Sequence, residues 1–563
     1  MSGTWSTLQN SWPFNGTEAH DPDAMILLSD GSVLVHDVGS SLAGTSSWWR
    51  LTPSELGDYS NGTWSGAFNM QYQRQFFASG LMTDGRVFVV GGEYTNDPNM
   101  EVPPDRYSPT GEIFDPGSNT WSPLPKPPAF NYIAGDAPCC VLADGRIIFG
   151  AYATSQTAIY DPTTTSWTEA GTEFGTKLST RTQICDEETW TLLPDGSVLT
   201  VCTHDAADKR AALRYLPSLD AWISAGNTPS EMQMGYEIGP AILLPNGSVF
   251  AIGATGSTAL YSLPANPSDP TQTGTWVAGP PFLDPNGNQL TCIDGPAALL
   301  PSGNVLCTAG PTIASSTPPA SGPATIFEFD YITGQILSTS PPPDTTNIGW
   351  SDTNGLVMLL LPTGQVLVTT GLYLGMYTPQ GAPSPAWAPI ITSCPSLIHP
   401  GDQFTLSGQQ LNGLSQAVSY GDDYTAATNY PIVQIQQGNN VMYCMTSTFS
   451  TLGVATGQQG VTAQVNVPLK KALTILRPGP AELVVIANGI ASDPIQVEIS
   501  GTPNCAALVQ SVKELIDKDV RSTAVAWSQT KRWLLACKVQ GQITEAEYNT
   551  LIREIASHTR QTP

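Results

Sequence analysis

The sequence predicts an all-β protein: a seven-bladed β-propeller, then an immunoglobulin-like β-sandwich, then a short C-terminal helical hairpin. Three observations predict it. The 563 residues include 52 Gly, 48 Pro and 14 Trp with only 12% charged, too apolar for a disordered chain and too punctuated for a helical one. A strand–turn–strand signal recurs seven times. The final sixty or so residues then lose Pro and Gly and take up helical spacing.

The repeats come first, because they set the architecture. AMILLSDGSVLVHD, ASGLMTDGRVFVVGG, CCVLADGRIIFGA, TWTLLPDGSVLTVC, AILLPNGSVFAIG, AALLPSGNVLCTAG and VMLLLPTGQVLVTTG each read as a hairpin. The expected connection is a two-residue turn of the primed kind, ending in Gly. Gly31, Gly85, Gly145, Gly196, Gly247, Gly303 and Gly364 are spaced by 51 to 61 residues. A third strand with Tyr or Phe follows in most repeats (EIFDP, AIYDP, LRYLP, MYTP). A fourth carries Trp64, Trp121, Trp167, Trp222 or Trp276, with Ile336 at that place in the sixth repeat. Four strands repeated seven times is a propeller. The seventh repeat lacks an obvious fourth strand, and TWSTL at Thr4–Leu8 has its pattern, with Trp387 as a rival. The propeller is assigned to residues 1–385, the sandwich to 388–500 on alternating strands such as QFTLSG and AELVVIANG, and the tail to 501–563. In the tail, Thr544 and Glu547 make a capping box, and Leu508, Val512, Leu515 and Ile516 share one helix face. That face is expected to pack on the sandwich or to bind a partner protein.

Charge narrows the function classes. With 22 Lys+Arg against 47 Asp+Glu the chain carries −25, which excludes a phosphate-backbone partner, so no nucleic acid is expected. No Lys or Arg occurs between Arg214 and Lys470, where 13 Asp or Glu do. A charged ligand there is expected to be a cation. No run of 18 apolar residues exists, and Met1 opens on Ser-Gly-Thr-Trp without the regions of a signal peptide. The expectation is a soluble chain without membrane insertion, secreted or cytoplasmic. Among ten Cys, the pairs Cys394–Cys444 and Cys505–Cys537 are disulfide candidates, with free buried thiols as the alternative.

A seven-bladed propeller of about fifty-residue repeats followed by a sandwich resembles the kelch-type galactose oxidase and glyoxal oxidase family. RQFFASGLMTDGRVFVVGGEY with TGEIFDPGSNTWSPLP is similar to that family's second blade, and AELVVIANGIASDPIQVEIS to its terminal strands. The resemblance covers about residues 1–500. It implies a copper-radical site: a Cys–Tyr crosslink, a second Tyr and two His just before the innermost strands. At the matching places this chain has Phe76 for the crosslinked Tyr, Pro22 for the Cys, and Asn354 and Gly355 for a Tyr-His pair. The sandwich loop Tyr420–Pro431, which would deliver the last His, contains none. Phenylalanine has no oxygen with which to ligate metal or form a phenoxyl radical, so copper-radical oxidation is not expected.

The same layer is rich in acid. Eight to ten residues before each turn Gly lie Asp21, Asp23, Asp136, Asp186, Glu187, Glu188, Glu237 and Asp294, where about two acids would be expected by composition. Asp352, and Asp422 and Asp423 in the sandwich loop, extend the set, with His20 and Cys185 nearby. Converging carboxylates suit a hard divalent cation such as Ca²⁺. Asp136, Glu187 and Asp294 are the expected metal ligands. Asp21, Asp23, Phe76, Glu188, Asn354, Asp422 and Asp423 are the ligand-binding set, and Glu187, Glu237 and Arg74 the catalytic candidates. The competing reading is structural, since propeller loops use Asp and Glu to satisfy backbone N–H groups. Three functions stay open: a protein that binds a glycan, small polar ligand or cation; a copper-independent hydrolase, lyase or isomerase; and a scaffold that docks a partner through its tail.

Overall fold

The computed structural model describes residues 3–10, 12–13, 21–39, 44–98, 100, 107–125, 134–173, 182–205, 208–313, 320–340, 352–369, 374–420, 426–517 and 524–559. Seven antiparallel sheets form the propeller. The first blade, Pro22–Leu27, Val33–Asp37, Thr45–Thr52 and Thr63–Arg74, is assembled in chain order from the axis outwards. Blade four gains the parallel outer strand Thr172–Glu173. Ring closure comes from the N-terminus: Thr4–Thr7 pairs with Leu374–Thr378 as the fourth strand of blade seven. Trp387, the rival for that place, lies instead in a 3-10 turn, Pro385–Trp387.

One cross-strand pair repeats around the ring. Phe114 faces Trp121, Tyr160 Trp167, Tyr215 Trp222, Tyr261 Trp276, and Tyr377 faces Trp5. Their ring centroids lie 4.9 to 5.4 Å apart. Several of these indoles also reach the previous blade: Trp5 Nε1 donates to Ser340 O at 2.8 Å, Trp167 to Pro125 O at 2.5 Å and Trp276 to Ala225 O at 3.0 Å. Blade six, with Ile336 opposite Phe329, has no indole to do this.

The hairpin turns differ from the expected primed form. All seven glycines have positive φ, between +77° and +91°, but the residues before them do not. Gly31 N bonds Leu28 O at 2.9 Å and Leu28 N bonds Ser32 O at 2.7 Å, the pattern of a three-residue loop ending in a left-handed Gly. The preceding Asp then accepts the N–H two residues on, as Asp84 does from Arg86 at 3.0 Å, so one special conformation suffices.

The expected sandwich takes the form of a curled nine-stranded sheet, a half-barrel. The long strand Asn440–Ser447 joins its halves, pairing through Val441–Cys444 with Ile432–Gln437 and through Met445–Ser447 with Gly460–Asn466. Helix α1 (Leu469–Ile475) closes one end. The tail is three helices rather than a hairpin: α2 (Cys505–Asp517), α3 (Ala524–Val539) and α4 (Glu545–Thr559). Thr544 and Glu547 make the capping box, with Thr544 N donating to Glu547 Oε2 at 2.9 Å and Glu547 N to Thr544 Oγ1 at 3.1 Å. The apolar face of α2 packs on the other two tail helices. Leu508 and Val512 share a core with Trp527, Leu534, Leu551 and Ile555, and Leu469 touches it from the sandwich side. Cys505–Cys537 is a disulfide across this core, whereas Cys394 and Cys444 are free. Among the described residues no helix is long and apolar enough to cross a membrane.

Candidate functional site

The inner strands enter from one end of the ring, and their entry loops carry the acidic layer. Three of these loops turn through a left-handed residue nine before the turn Gly: Phe76 at φ +51°, Glu187 at +53° and Asp294 at +47°. Such a conformation costs a non-glycine residue about 1–3 kcal/mol. The repeat of the same strain in three blades fixes where these side chains leave the backbone.

The channel inside the blades is filled by the chain itself. Ser415–Tyr420, from the half-barrel, runs against the inner strands, and Val418–Ser419 pairs with Ala297–Ala298 as a fifth strand of blade six. Leu192 N donates to Gln416 Oε1 at 2.8 Å, Leu299 N to Ala417 O at 2.7 Å and Ala241 N to Ser419 Oγ at 3.3 Å. At the end of this plug, Tyr420 Oη donates to Asn354 O at 2.6 Å. Among the described residues, Tyr420 is therefore buried against the inner strands at this end. Asp422 and Asp423, which follow it, lie outside the described residues, as does His20.

The sequence-predicted residues divide on this frame. Asp136, Asp186 and Glu237 are buried, and Asp21, Asp23, Phe76, Glu187, Asp294 and Asp352 are half-buried, while Asn354 is exposed. Asp23 Oδ2 stands 3.7 Å from Nδ1 of His36, whose Nε2 faces Thr45 O at 3.0 Å. Glu188 is fully enclosed and accepts from Trp190 Nε1 and Thr200 Oγ1, each at 3.0 Å. Arg74 is likewise removed from the catalytic candidates. Its guanidinium is fully buried and donates to Gly91 O at 2.7 Å, Thr110 O at 2.9 Å and Glu112 Oε1 at 3.1 Å, tying the outer strand of blade one to blade two. Among the described residues no group of three or more His, Cys, Asp or Glu could hold a metal ion. Asp136, Glu187 and Asp294 stand on three different blades, at the entry to their inner strands.

Sequence reasoning missed an aromatic layer among the acids. Tyr107 and Tyr152 stack with centroids 3.5 Å apart, His204 stacks on the exposed Tyr236 at 4.3 Å, and Phe76 meets Tyr94 edge-on at 6.3 Å. The Tyr107 hydroxyl is pushed well above its ordinary range, first by burial, then by the charge of Asp136, a hydrogen bond with Tyr152 and the charge of Glu93. That interaction places Asp136 and Glu93 beside the stacked pair. A signal for these residues exists: Tyr94, Tyr152 and His204 follow the turn Gly by seven to nine residues, where the second strand of each hairpin returns to the mouth.

Comparison with known proteins agrees with this architecture. Residues 77–128 match the Kelch motif. Galactose oxidase of Gibberella zeae is 30% identical over 138 residues, 22% of this chain and 19% of the relative. The chain carries a Kelch motif and is similar to galactose oxidase over that stretch. That alignment spans about a fifth of the curated relative's length. The chain is also similar to a solved fungal alcohol oxidase of the AA5 family in complex with copper, at 16% identity and a TM-score of 0.49, covering 88% of this chain and 99% of that one.

Proposed function

We propose that this kelch protein binds a cationic small ligand at the propeller mouth and does not carry out copper-radical oxidation. One observation carries the reading. In the layer where the resemblance expects Tyr, Cys and His stand Phe76, Pro22, Asn354 and Gly355, while Asp23, Asp136, Glu187 and Asp294 come from four blades to the same end of the ring. Tyr94, Tyr107, Tyr152 and Tyr236 lie at that end as well. Carboxylates with aromatic faces favour an ammonium group, which gains from both. An amino sugar combines that charge with the hydroxyls of a glycan. A hard cation such as Ca²⁺ is the metal version of the same reading, and it would need donors from Asp422 and Asp423.

Calorimetry with glucosamine, glucose and Ca²⁺ tests the proposal. Glucosamine or Ca²⁺ should bind wild type, glucose more weakly than glucosamine, and D136N/E187Q/D294N should abolish the binding. Equal binding by that variant would remove the mouth from the account. Copper-loaded protein should release no peroxide from galactose or glyoxal, and peroxide that survives buffer controls would restore the oxidase reading.

A second reading, acid–base catalysis without copper, is favoured by the left-handed backbone of Glu187 and Asp294, since such strain is concentrated at working sites. Turnover of a bound ligand, lost in E187Q with binding retained, would select it.

A further inference from the structure

We propose that Asn354 is a site of spontaneous covalent conversion to aspartate and isoaspartate, which adds a negative charge to the mouth. The chemistry needs an Asn followed by Gly, because glycine leaves its backbone nitrogen uncrowded. The Gly355 nitrogen attacks Cγ of Asn354, a C–N bond forms, and the side-chain amide leaves as ammonia, taking up the proton lost from that nitrogen. Water then opens the cyclic imide at either carbonyl.

Six Asn–Gly steps lie among the described residues, and five are restrained. Asn412 and Asn488 are buried, the first donating to Asn429 O and Thr451 O, the second accepting from Leu414 N and Ser415 N. At Asn61, Asn246 and Asn286 the following glycine N–H is held in a turn, by Tyr59 O at 3.0 Å, Leu244 O at 2.9 Å and Asp284 O at 3.0 Å. Asn246 Oδ1 is further tied to Ser248.

Asn354–Gly355 differs on each count. Both residues are exposed, and they occupy the centre of a turn closed by Leu356 N and Thr353 O at 3.3 Å. That geometry leaves the Gly355 N–H unengaged, and among the described residues neither it nor the Asn354 carboxamide has a hydrogen bond. A methyl group at Gly355 would meet only Asp352, at 3.5 Å, so the approach to the nitrogen is open. The conversion is independent of whether the mouth binds a ligand.

The test is incubation of the full chain at mildly alkaline pH, followed by peptide mapping and charge-resolved separation. Asn354 should lose its amide at least about tenfold faster than the other five Asn, giving a mixture of aspartyl and isoaspartyl peptides and a more acidic isoform. G355A, whose methyl group makes no contact closer than 3.5 Å, should slow the loss about tenfold or more, and N354Q should prevent the acidic isoform. Retention of the Asn354 amide while another Asn–Gly step converts would overturn the proposal, as would an undiminished rate in G355A.

Discussion

The two ends of the same inner hairpins surround their acidic residues with different neighbours. At the turn end, every Asp is answered locally: Asp30 by Ser32 and Arg50, Asp84 by Arg86, Asp144 by Arg146, and Asp195 by Ser197 and Arg214. At the mouth end the acids are more numerous, and among the described residues Arg74 there donates to carbonyls and to Glu112 inside the protein. Acid content alone therefore says nothing about function. The cations and donors within reach decide whether an Asp closes a turn or contributes to a field, and between Arg214 and Lys470 there are no cations at all.

The largest test of this contrast is R74M. Removing one partner of a buried ion pair leaves Glu112 charged with only the N–H groups of Gln71 and Tyr72 to answer it, so unfolding in urea should show a loss of about 3–5 kcal/mol. A stable R74M that has lost ligand binding would instead return Arg74 to the mouth. A smaller loss, about 2 kcal/mol, is expected for D195A at the turn end, because Arg214 is fully buried and keeps only its bond to Pro267 O at 2.7 Å. No loss on D195A would mean that the turn acids are dispensable and that the distinction between the two ends fails.

The propeller was legible because its signals are local and repeated. A left-handed Gly, an Asp that caps its own turn and a Tyr or Phe opposite Trp all act within one hairpin, so each left its spacing in the chain; even Trp5 marked its strand as a displaced member of the series. The curled half-barrel was not, because Asn440–Ser447 pairs with different strands along its two halves and its residue alternation is that of any sandwich strand. At the site, the acidic layer could be counted from the turn glycines, but the direction of Glu188 and the burial of Arg74 could not. Both depend on packing within and between blades rather than on distance along the chain. The plug was equally hidden, since Gln416 meets Leu192 only after more than two hundred residues of intervening chain.

At the mouth, neutralising charge should act in the other direction. D136N/E187Q/D294N keeps side-chain size and removes like charges from one layer, so the ligand-free protein is expected to gain about 0.5–1 kcal/mol, read as a higher melting temperature at low salt that fades as salt is added. A clear loss would show that these acids answer donors as the turn acids do, and the comparison would collapse into a single structural role.

The smallest effect concerns an acid on the outer turn of blade three. Asp161 accepts from Thr163 Oγ1 at 2.7 Å and from Thr163 N at 2.8 Å. The Thr163 hydroxyl is the main cause of a pKa below the ordinary 3.8, with burial opposing it and the backbone bond assisting. A carboxylate whose folded pKa is depressed stabilises the fold fully above its unfolded value, and that contribution is lost as pH falls through the folded one. T163A removes the hydroxyl and keeps the N–H, so the Asp161 midpoint should move up towards 3.8 in an NMR titration. Because the residue is largely solvated, the change in overall stability should be small and confined to the acid limb. An unmoved midpoint would show that the backbone bond alone holds Asp161 down, and local side-chain donors would then matter less at the turns than the comparison requires.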